Sequence, residues 1–286
     1  MKIEELVKYI KDSIQANYNY GEKRAISYLV VQHLTGKSKE KILADKDEIV
    51  SKNIITQANE IIKKLNNFCP IQYIIGEVEF YNVRIKVNSN VLIPRPETEE
   101  LVDWFLRDYK GEENLKILDA CTGSGCIAIA IAYNRKHINL DAFDISDDAI
   151  NLAYENARLN SVNINFFKYD ILNFHLGNWK WSKDYDVIIC NPPYIPANQK
   201  ELLQPQIVHF EPPLAIFVED DDPLIFYRKV AEAAKNILKV GGCIYFEVNE
   251  SYGIQVVQLL YEYDFKNIIL KKDINEKDRM IKAIKK

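Results

Sequence analysis

An apolar run, Tyr185-Asp186-Val187-Ile188-Ile189-Cys190, breaks directly into Asn191-Pro192-Pro193-Tyr194. Proline carries no N–H, so this turn is rich in hydrogen-bond acceptors and poor in donors. The Asn191 side-chain carbonyl adds an acceptor beside the backbone oxygens. Such a corner selects an NH₂ group, since two N–H donors on one atom satisfy two neighbouring acceptors. Tyr194 supplies a ring that can lie against a flat amide or base. A nitrogen of that kind is a weak nucleophile because its lone pair is delocalised. Accepting both hydrogens fixes its plane and aims the lone pair, so catalysis would rest on positioning and electrostatics, without a strong base. Asn191, Pro192, Pro193 and Tyr194 are therefore the candidate catalytic residues.

Three further turns have the chemistry of a nucleoside site. Asp119-Ala120-Cys121-Thr122-Gly123-Ser124-Gly125 follows a strand-like run and precedes a helix. Its two glycines permit a tight turn and close approach of backbone to a ligand, but the third glycine of a dinucleotide fingerprint is missing. Asp144, 19 residues beyond Gly125, ends the next strand, where a carboxylate can accept from ribose hydroxyls. Asp170-Ile171 ends the third, pairing an acceptor for an adenine amino group with an apolar cover for the ring. Each turn alone reads as an ordinary loop or helix cap. On three successive strands they describe a pocket for an adenosine-bearing cofactor that needs no pyrophosphate cradle. S-adenosyl-L-methionine, leaving as S-adenosyl-L-homocysteine, suits it better than NAD. The candidate cofactor-binding residues are Cys121, Thr122, Gly123, Ser124, Gly125, Asp144, Asp170, Ile171 and Asn191.

The elements that must position these turns can be read from periodicity. Strand-like runs at 115–118, 140–143, 164–167, 185–190 and 243–248 alternate with helical patterns at about 125–133, 146–160, 224–238 and 251–262. That alternation predicts an α/β fold with a parallel sheet covered on both faces, its ligands at the carboxyl ends of the strands. Segments 265–271 and 279–284 are expected as two more strands at the sheet edge. Residues 1–66 read as helices: Leu6, Val7, Ile10 and Ile14, then Ile54, Ile55, Ala58, Ile61, Ile62 and Leu65, recur at helical spacing. Asn66-Asn67 and Pro70 end that block. Glu79 to Val87 alternates around Asn82 as a hairpin does, and Pro96 with three glutamates opens another helix. The division expected is 1–69 as a helical substrate-docking domain, 70–94 as a linker with a β-hairpin, and 95–286 as the catalytic domain.

Composition narrows the class. Of 286 residues, 48% are hydrophobic and 27% charged, as in globular domains. No apolar run reaches the ~18–20 residues of a bilayer span, so no membrane partner is expected. The charged start, MKIEELVKYIKDSI, does not read as a secretory signal, which points to a cytoplasmic location. The five cysteines form no CxxC pair and the four histidines are scattered, so no metal is expected. Residues 1–75 hold 12 basic against 9 acidic side chains, leaving 25 against 32 for the rest. A catalytic part that acidic is a poor match for nucleic acid, and no stable nucleic-acid partner is expected.

The chain resembles the peptide chain release factor N5-glutamine methyltransferases, the PrmC/HemK group. The resemblance rests on Asn191-Pro192-Pro193-Tyr194, on Pro70-Ile71-Gln72-Tyr73-Ile74-Ile75-Gly76 with Glu79-Phe80, and on Leu92-Ile93-Pro94-Arg95-Pro96-Glu97-Thr98-Glu99. Phe210-Glu211-Pro212 and Asp278-Arg279 are similar to its later motifs. The resemblance implies a Rossmann-like class I S-adenosylmethionine-dependent methyltransferase sheet behind a small N-terminal helical domain. Its substrate would be the glutamine of the Gly-Gly-Gln motif in class I release factors, with the amide held by Asn191 and the Pro192 carbonyl. The sequence departs from the family in two places. Cys121 stands where glycine is usual, at a cost of roughly 1–2 kcal/mol if that residue needs positive φ. Ile216 to Asp222 replaces a glycine-containing stretch. Two other readings remain open from the residues: an N6-adenine or N2-guanine nucleic-acid methyltransferase, which uses a similar turn, and a non-catalytic methyltransferase-like binding module.

Overall fold

Apolar spacing and caps dictate where the first helices begin and end. They are α1 (Ile3–Ser13), α2 (Tyr20–Thr35), α3 (Lys39–Ala44), α4 (Lys52–Asn66) and α5 (Ile71–Ile75) in the computed structural model of the chain, which describes residues 1–16, 18–175, 179–180 and 182–286. A reciprocal capping box opens α2: Glu22 N–H donates to Asn19 Oδ1 at 3.0 Å and Asn19 N–H to Glu22 Oε2 at 2.7 Å. The Ser51 hydroxyl caps α4. Leu6, Ile10, Ile14, Ala58, Ile61, Ile62 and Leu65 turn inward and form one core with Val30, Val31 and Ile42. Ile71 joins that core, so the packed helical unit runs to Gly76, and it also takes in Gln204–Phe210 from much later in the chain. That late segment carries the short helix α9 (Pro205–Phe210).

The second unit comprises Glu77–Leu203 and Glu211–Lys286. It starts with the hairpin of β1 (Glu77–Phe80) and β2 (Val83–Lys86), paired Phe80 to Val83. Tyr81 and Asn82 form its two-residue turn with φ of 42° and 66°, the mirror-image geometry that matches strand twist. α6 (Pro96–Asp108) follows, with Pro96 in its first turn and Glu97 and Glu99 at its positive end.

Then the β–α alternation runs as expected: β3 (Lys116–Ala120), α7 (Cys126–Asn134), β4 (Asn139–Asp144), α8 (Asp147–Leu159), β5 (Asn165–Lys168) and β6 (Tyr185–Cys190). Later come β7 (Ile195–Pro196), β8 (Phe217–Val218), α10 (Ile225–Ile237), β9 (Leu238–Glu247), α11 (Gly253–Glu262), β10 (Phe265–Lys272) and β11 (Asp278–Lys285). Seven strands form one sheet in the order β10-β11-β9-β6-β3-β4-β5. The pairs among β9, β6, β3, β4 and β5 are parallel.

The late strands differ from the expectation in one respect. Only β10 lies at the edge; β11 runs antiparallel between β9 and β10. Its burial explains the placement, since Met280, Ile281 and Ala283 are fully buried. The short parallel pair β7–β8 was not legible in the sequence, because two residues carry no period. Parallel strands align their carboxyl ends, so the loops after β3, β4, β5, β6 and β9 share one edge of the sheet.

Candidate active site

A cavity of about 250 Å³ opens at that edge. Its wall brings together Cys121, Thr122, Gly123, Ser124, Asp144, Asp170, Ile171, Asn191 and Pro193 from four successive strand ends. Of the other sequence-predicted residues, Gly125 and Pro192 lie behind the wall, and Tyr194 is half-buried with its hydroxyl turned onto Glu247.

The loop after β3 is built from unusual backbone. Cys121, Gly123 and Gly125 all have positive φ, 60°, 54° and 80°. At Gly125 a Cβ would also meet Ile129 Cδ1 at 3.0 Å and Ala153 Cβ at 3.1 Å, so glycine is demanded by both angle and space. Cys121 therefore does carry the left-handed strain its departure from glycine raised, roughly 1–2 kcal/mol. Its side chain packs against the main core, which offsets part of that cost. Asn156 of α8, fully buried, holds the loop from below: its Nδ2 donates to Ser124 O at 2.9 Å and Lys86 O at 3.1 Å, while its Oδ1 accepts Lys86 N–H at 2.7 Å. One side chain thus fixes the hairpin and the loop together.

Asp144 is oriented before any ligand arrives. Gly123 N–H donates to its Oδ2 at 2.8 Å and Ser146 N–H to its Oδ1 at 3.0 Å. Burial pushes its carboxyl above the ordinary range, and the backbone N–H groups of Ser146, Gly123 and Ile145 pull it back. Each oxygen keeps a lone pair for a further donor. Asp170 is also partly occupied, accepting Leu172 N–H at 3.0 Å and Asn173 Nδ2 at 2.6 Å, so it caps a short 3-10 turn as well as lining the cavity. Ile171, Phe143 and Tyr169 supply apolar wall beside it.

The acceptor corner is held by a buried polar chain that sequence reasoning missed. Asn191 Nδ2 donates to Thr98 Oγ1 at 3.2 Å, and the Thr98 hydroxyl donates to Glu247 Oε2 at 2.6 Å. The Tyr194 hydroxyl donates to Glu247 Oε1 at 3.1 Å. Thr98 and Glu247 are 2% and 1% exposed, so water does not substitute for these bonds. Burial pushes the Glu247 carboxyl up, while the Thr98 bond, the Arg279 charge and the Tyr194 bond draw it down. Burial, with the nearby Glu247 charge, pushes the Tyr194 hydroxyl far up, so it stays a donor. No donor among the described residues reaches Asn191 Oδ1 or the Pro192 carbonyl. Asn191 stands in the cavity wall with that oxygen unpaired, and the Pro192 carbonyl, on a buried residue behind the wall, is the next backbone acceptor along the chain.

The loop of Val91 to Arg95 closes another side of the cavity. Glu211, buried, ties it down by accepting from the Arg95 guanidinium and from Ile93 N–H at 3.1 Å. Ile195 N–H donates to Ile216 O at 3.0 Å, joining the chain after Tyr194 to the segment whose Pro212, Leu214 and Ala215 line the cavity. The stretch that departs from family glycines is itself structured: Phe217–Val218 is β8, Asp220 accepts Asn198 N–H at 2.8 Å, and Asp222 pairs with Arg228.

A signal for the missed residues was present. Glu247 ends an apolar strand at the edge where ligands of parallel sheets sit, and Thr98 and Glu211 fall inside the segments 92–99 and 210–212 that carry the family resemblance; sequence alone did not say that they converge.

Comparison with known proteins bears on the family and the fold. The PrmC N-terminal domain family matches residues 5–76, and the methyltransferase small domain family matches residues 98–209. A release factor glutamine methyltransferase from Flavobacterium psychrophilum is 45% identical, the alignment covering 80% of each chain. One of the same name from Bacteroides thetaiotaomicron is 36% identical over 97% of this chain and 98% of its own. In fold, a methyltransferase from Pyrococcus furiosus superimposes with a TM-score of 0.53 at 14% identity, covering 81% of this chain and 98% of that one. The human methyltransferase 10 domain containing protein gives 0.51 at 16% identity, over 72% and 90%. With relatives this similar along nearly its whole length, the chain belongs to the release factor glutamine methyltransferase family.

Proposed function

We propose that this protein transfers a methyl group from S-adenosyl-L-methionine to the side-chain amide nitrogen, N5, of the glutamine in the Gly-Gly-Gln motif of class I peptide chain release factors, in the cytoplasm. The observation that carries the reading is Asn191 Oδ1, reached by no donor among the described residues, in the wall of a mostly apolar cavity that Asp144 and Asp170 also line, with the Pro192 carbonyl next to it in the chain. The lining fits the cofactor. Asp144 presents preoriented lone pairs to hydroxyls, and Ile171 and Tyr169 offer an apolar slot. When bound, the cofactor supplies an electrophilic methyl on a positively charged sulfur.

The protein's own residues do the rest. Asn191 and Pro192 accept the two amide hydrogens, fix the plane of the group and direct its lone pair. No general base is required at the outset, because the nitrogen grows acidic as its new bond forms. Its proton then lies against an acceptor already in place. Tyr194 acts from behind the corner, through Glu247. Residues 1–69, the bulk of the helical unit that also takes in 70–76 and Gln204–Phe210, serve docking of the release factor. Residues 70–94 are the link, whose last residues also line the cavity, and 95–286 carry most of the chemistry. A helical unit with no catalytic spacing supports the docking role. The test is to incubate the protein with labelled cofactor and a class I release factor, with tRNA as a competing substrate, and map the label. Methyl on the Gly-Gly-Gln glutamine is expected; label on nucleic acid, or none on protein, would defeat the reading.

A further inference from the structure

The chain of bonds behind Asn191 has a direction, and direction has a consequence for what the site accepts. A threonine hydroxyl has one proton to give. Thr98 gives it to Glu247 at 2.6 Å, and the ionised carboxylate, the form that the Arg279 charge favours against burial, can only accept. Toward Asn191, Thr98 therefore offers a lone pair and nothing else. Only the NH₂ end of the Asn191 carboxamide can meet it, at 3.2 Å; the reverse orientation would set two acceptors face to face. A carboxamide is nearly symmetric in shape, so its orientation is decided by its partners. Here the decisive partner is a buried charge two bonds away.

We propose that Glu247, acting through Thr98, locks the Asn191 carboxamide with its oxygen toward the acceptor corner, and thereby makes the site select an amide and reject a carboxylate. The proposal rests on the reading of the corner as a glutamine site. With the lock in place the corner presents two acceptors, Asn191 Oδ1 and the Pro192 carbonyl, which match NH₂ and repel a glutamate side chain. Without it the carboxamide turns over freely and the corner presents one donor and one acceptor. That pattern accepts a carboxylate oxygen, and it also accepts glutamine upside down, with the nitrogen away from the methyl. Glu247 and Thr98 are positioning residues: neither needs to touch the substrate. Tyr194 contributes to the same lock, since its hydroxyl occupies the other Glu247 oxygen at 3.1 Å and leaves that oxygen no call on Thr98.

The experiment compares wild type, Thr98→Ser, Thr98→Val and Glu247→Gln in methylation of a release factor. A copy of that factor with the target glutamine changed to glutamate serves as competitor, and cofactor affinity is measured alongside. Thr98→Ser keeps the hydroxyl and is expected within threefold of wild type. Thr98→Val keeps the shape but not the relay, and is expected to lose at least tenfold in kcat with cofactor affinity within twofold. The diagnostic readout is the competitor: the glutamate form should inhibit wild type and Thr98→Ser weakly, and Thr98→Val and Glu247→Gln at least fivefold better. Misfolding or a loosened cavity would weaken both forms alike. If Thr98→Val matches Thr98→Ser in rate and in competitor binding, the lock is wrong while the methylation reading stands. If wild type leaves the glutamine unmodified, the function itself has failed.

Discussion

Asp119 tests how the loop after β3 is held. Its carboxyl group is fully buried; the Thr122 hydroxyl at 2.6 Å and Ala128 N–H at 3.3 Å both donate to Oδ2, and Oδ1 has no partner among the described residues. Burial raises its pKa from 3.8 to about 7; the Thr122 and Ala128 bonds oppose the rise and the Asp144 charge adds to it. The folded protein thus retains a proton that the unfolded chain gives up near pH 4. Between those two values the folded state loses roughly 1.4 kcal/mol per pH unit, because it binds more protons than the unfolded chain. The loss is absent below about pH 4 and complete above about pH 7, where it reaches on the order of 4 kcal/mol. Asp119→Asn removes the titration while keeping an oxygen that can accept from Thr122 and Ala128. Denaturant titrations of both proteins at pH 5 and pH 8 measure the effect. The stability of Asp119→Asn relative to wild type should be greater at pH 8 than at pH 5 by roughly 3 kcal/mol, from the two pH units crossed before titration is complete. An equal difference at both pH values would refute the reasoning, since the carboxyl would then be ionised in the folded protein throughout.

Asp144→Ala should weaken cofactor binding by roughly 1.5–3 kcal/mol, the scale of charge-assisted hydrogen bonds; calorimetry showing unchanged affinity would remove it from the site. Asn191→Ala should lose at least tenfold in turnover, about 1.4 kcal/mol, with cofactor affinity nearly intact. The same corner should stop after one methyl, because a methylated amide leaves one acceptor unpaired at roughly 1–3 kcal/mol. Mass spectrometry of exhaustively treated substrate should show a single addition, and a dimethylated glutamine would contradict the geometry. Removing residues 1–69 should spare cofactor binding but lower kcat/KM on an intact release factor; full retention of kcat/KM would exclude a docking role.

Much of the sheet could be read from the sequence because its information is local. Each buried strand is a short apolar run and each helix an apolar stripe, so β3 to β6 and α7, α8, α10 and α11 fall within a few residues of expectation. The wall of the cavity was legible too, since topology puts residues after parallel strands at one edge. What stayed hidden depends on side chains meeting across long separations. Thr98 and Glu247 lie 149 residues apart, and Ile93 and Glu211 lie 118 apart; no periodicity marks such a pair. The interior place of β11 was hidden for a related reason, because a strand's length and polarity do not name its neighbours.

That placement bears on how the fold can be reached. Among the seven strands β11 is last in the chain, yet it fills a slot between two made earlier. As synthesis proceeds from the N-terminus, β9 and β10 exist before the strand that joins them, each with an edge of unpaired N–H and C=O groups facing the gap. β11 also carries Arg279, whose charge draws down the Glu247 carboxyl at the end of β9. A nascent chain short of residue 279 has therefore neither a continuous sheet nor that counter-charge. During synthesis, sheet closure and the electrostatic completion of the site thus wait for one and the same strand, β11.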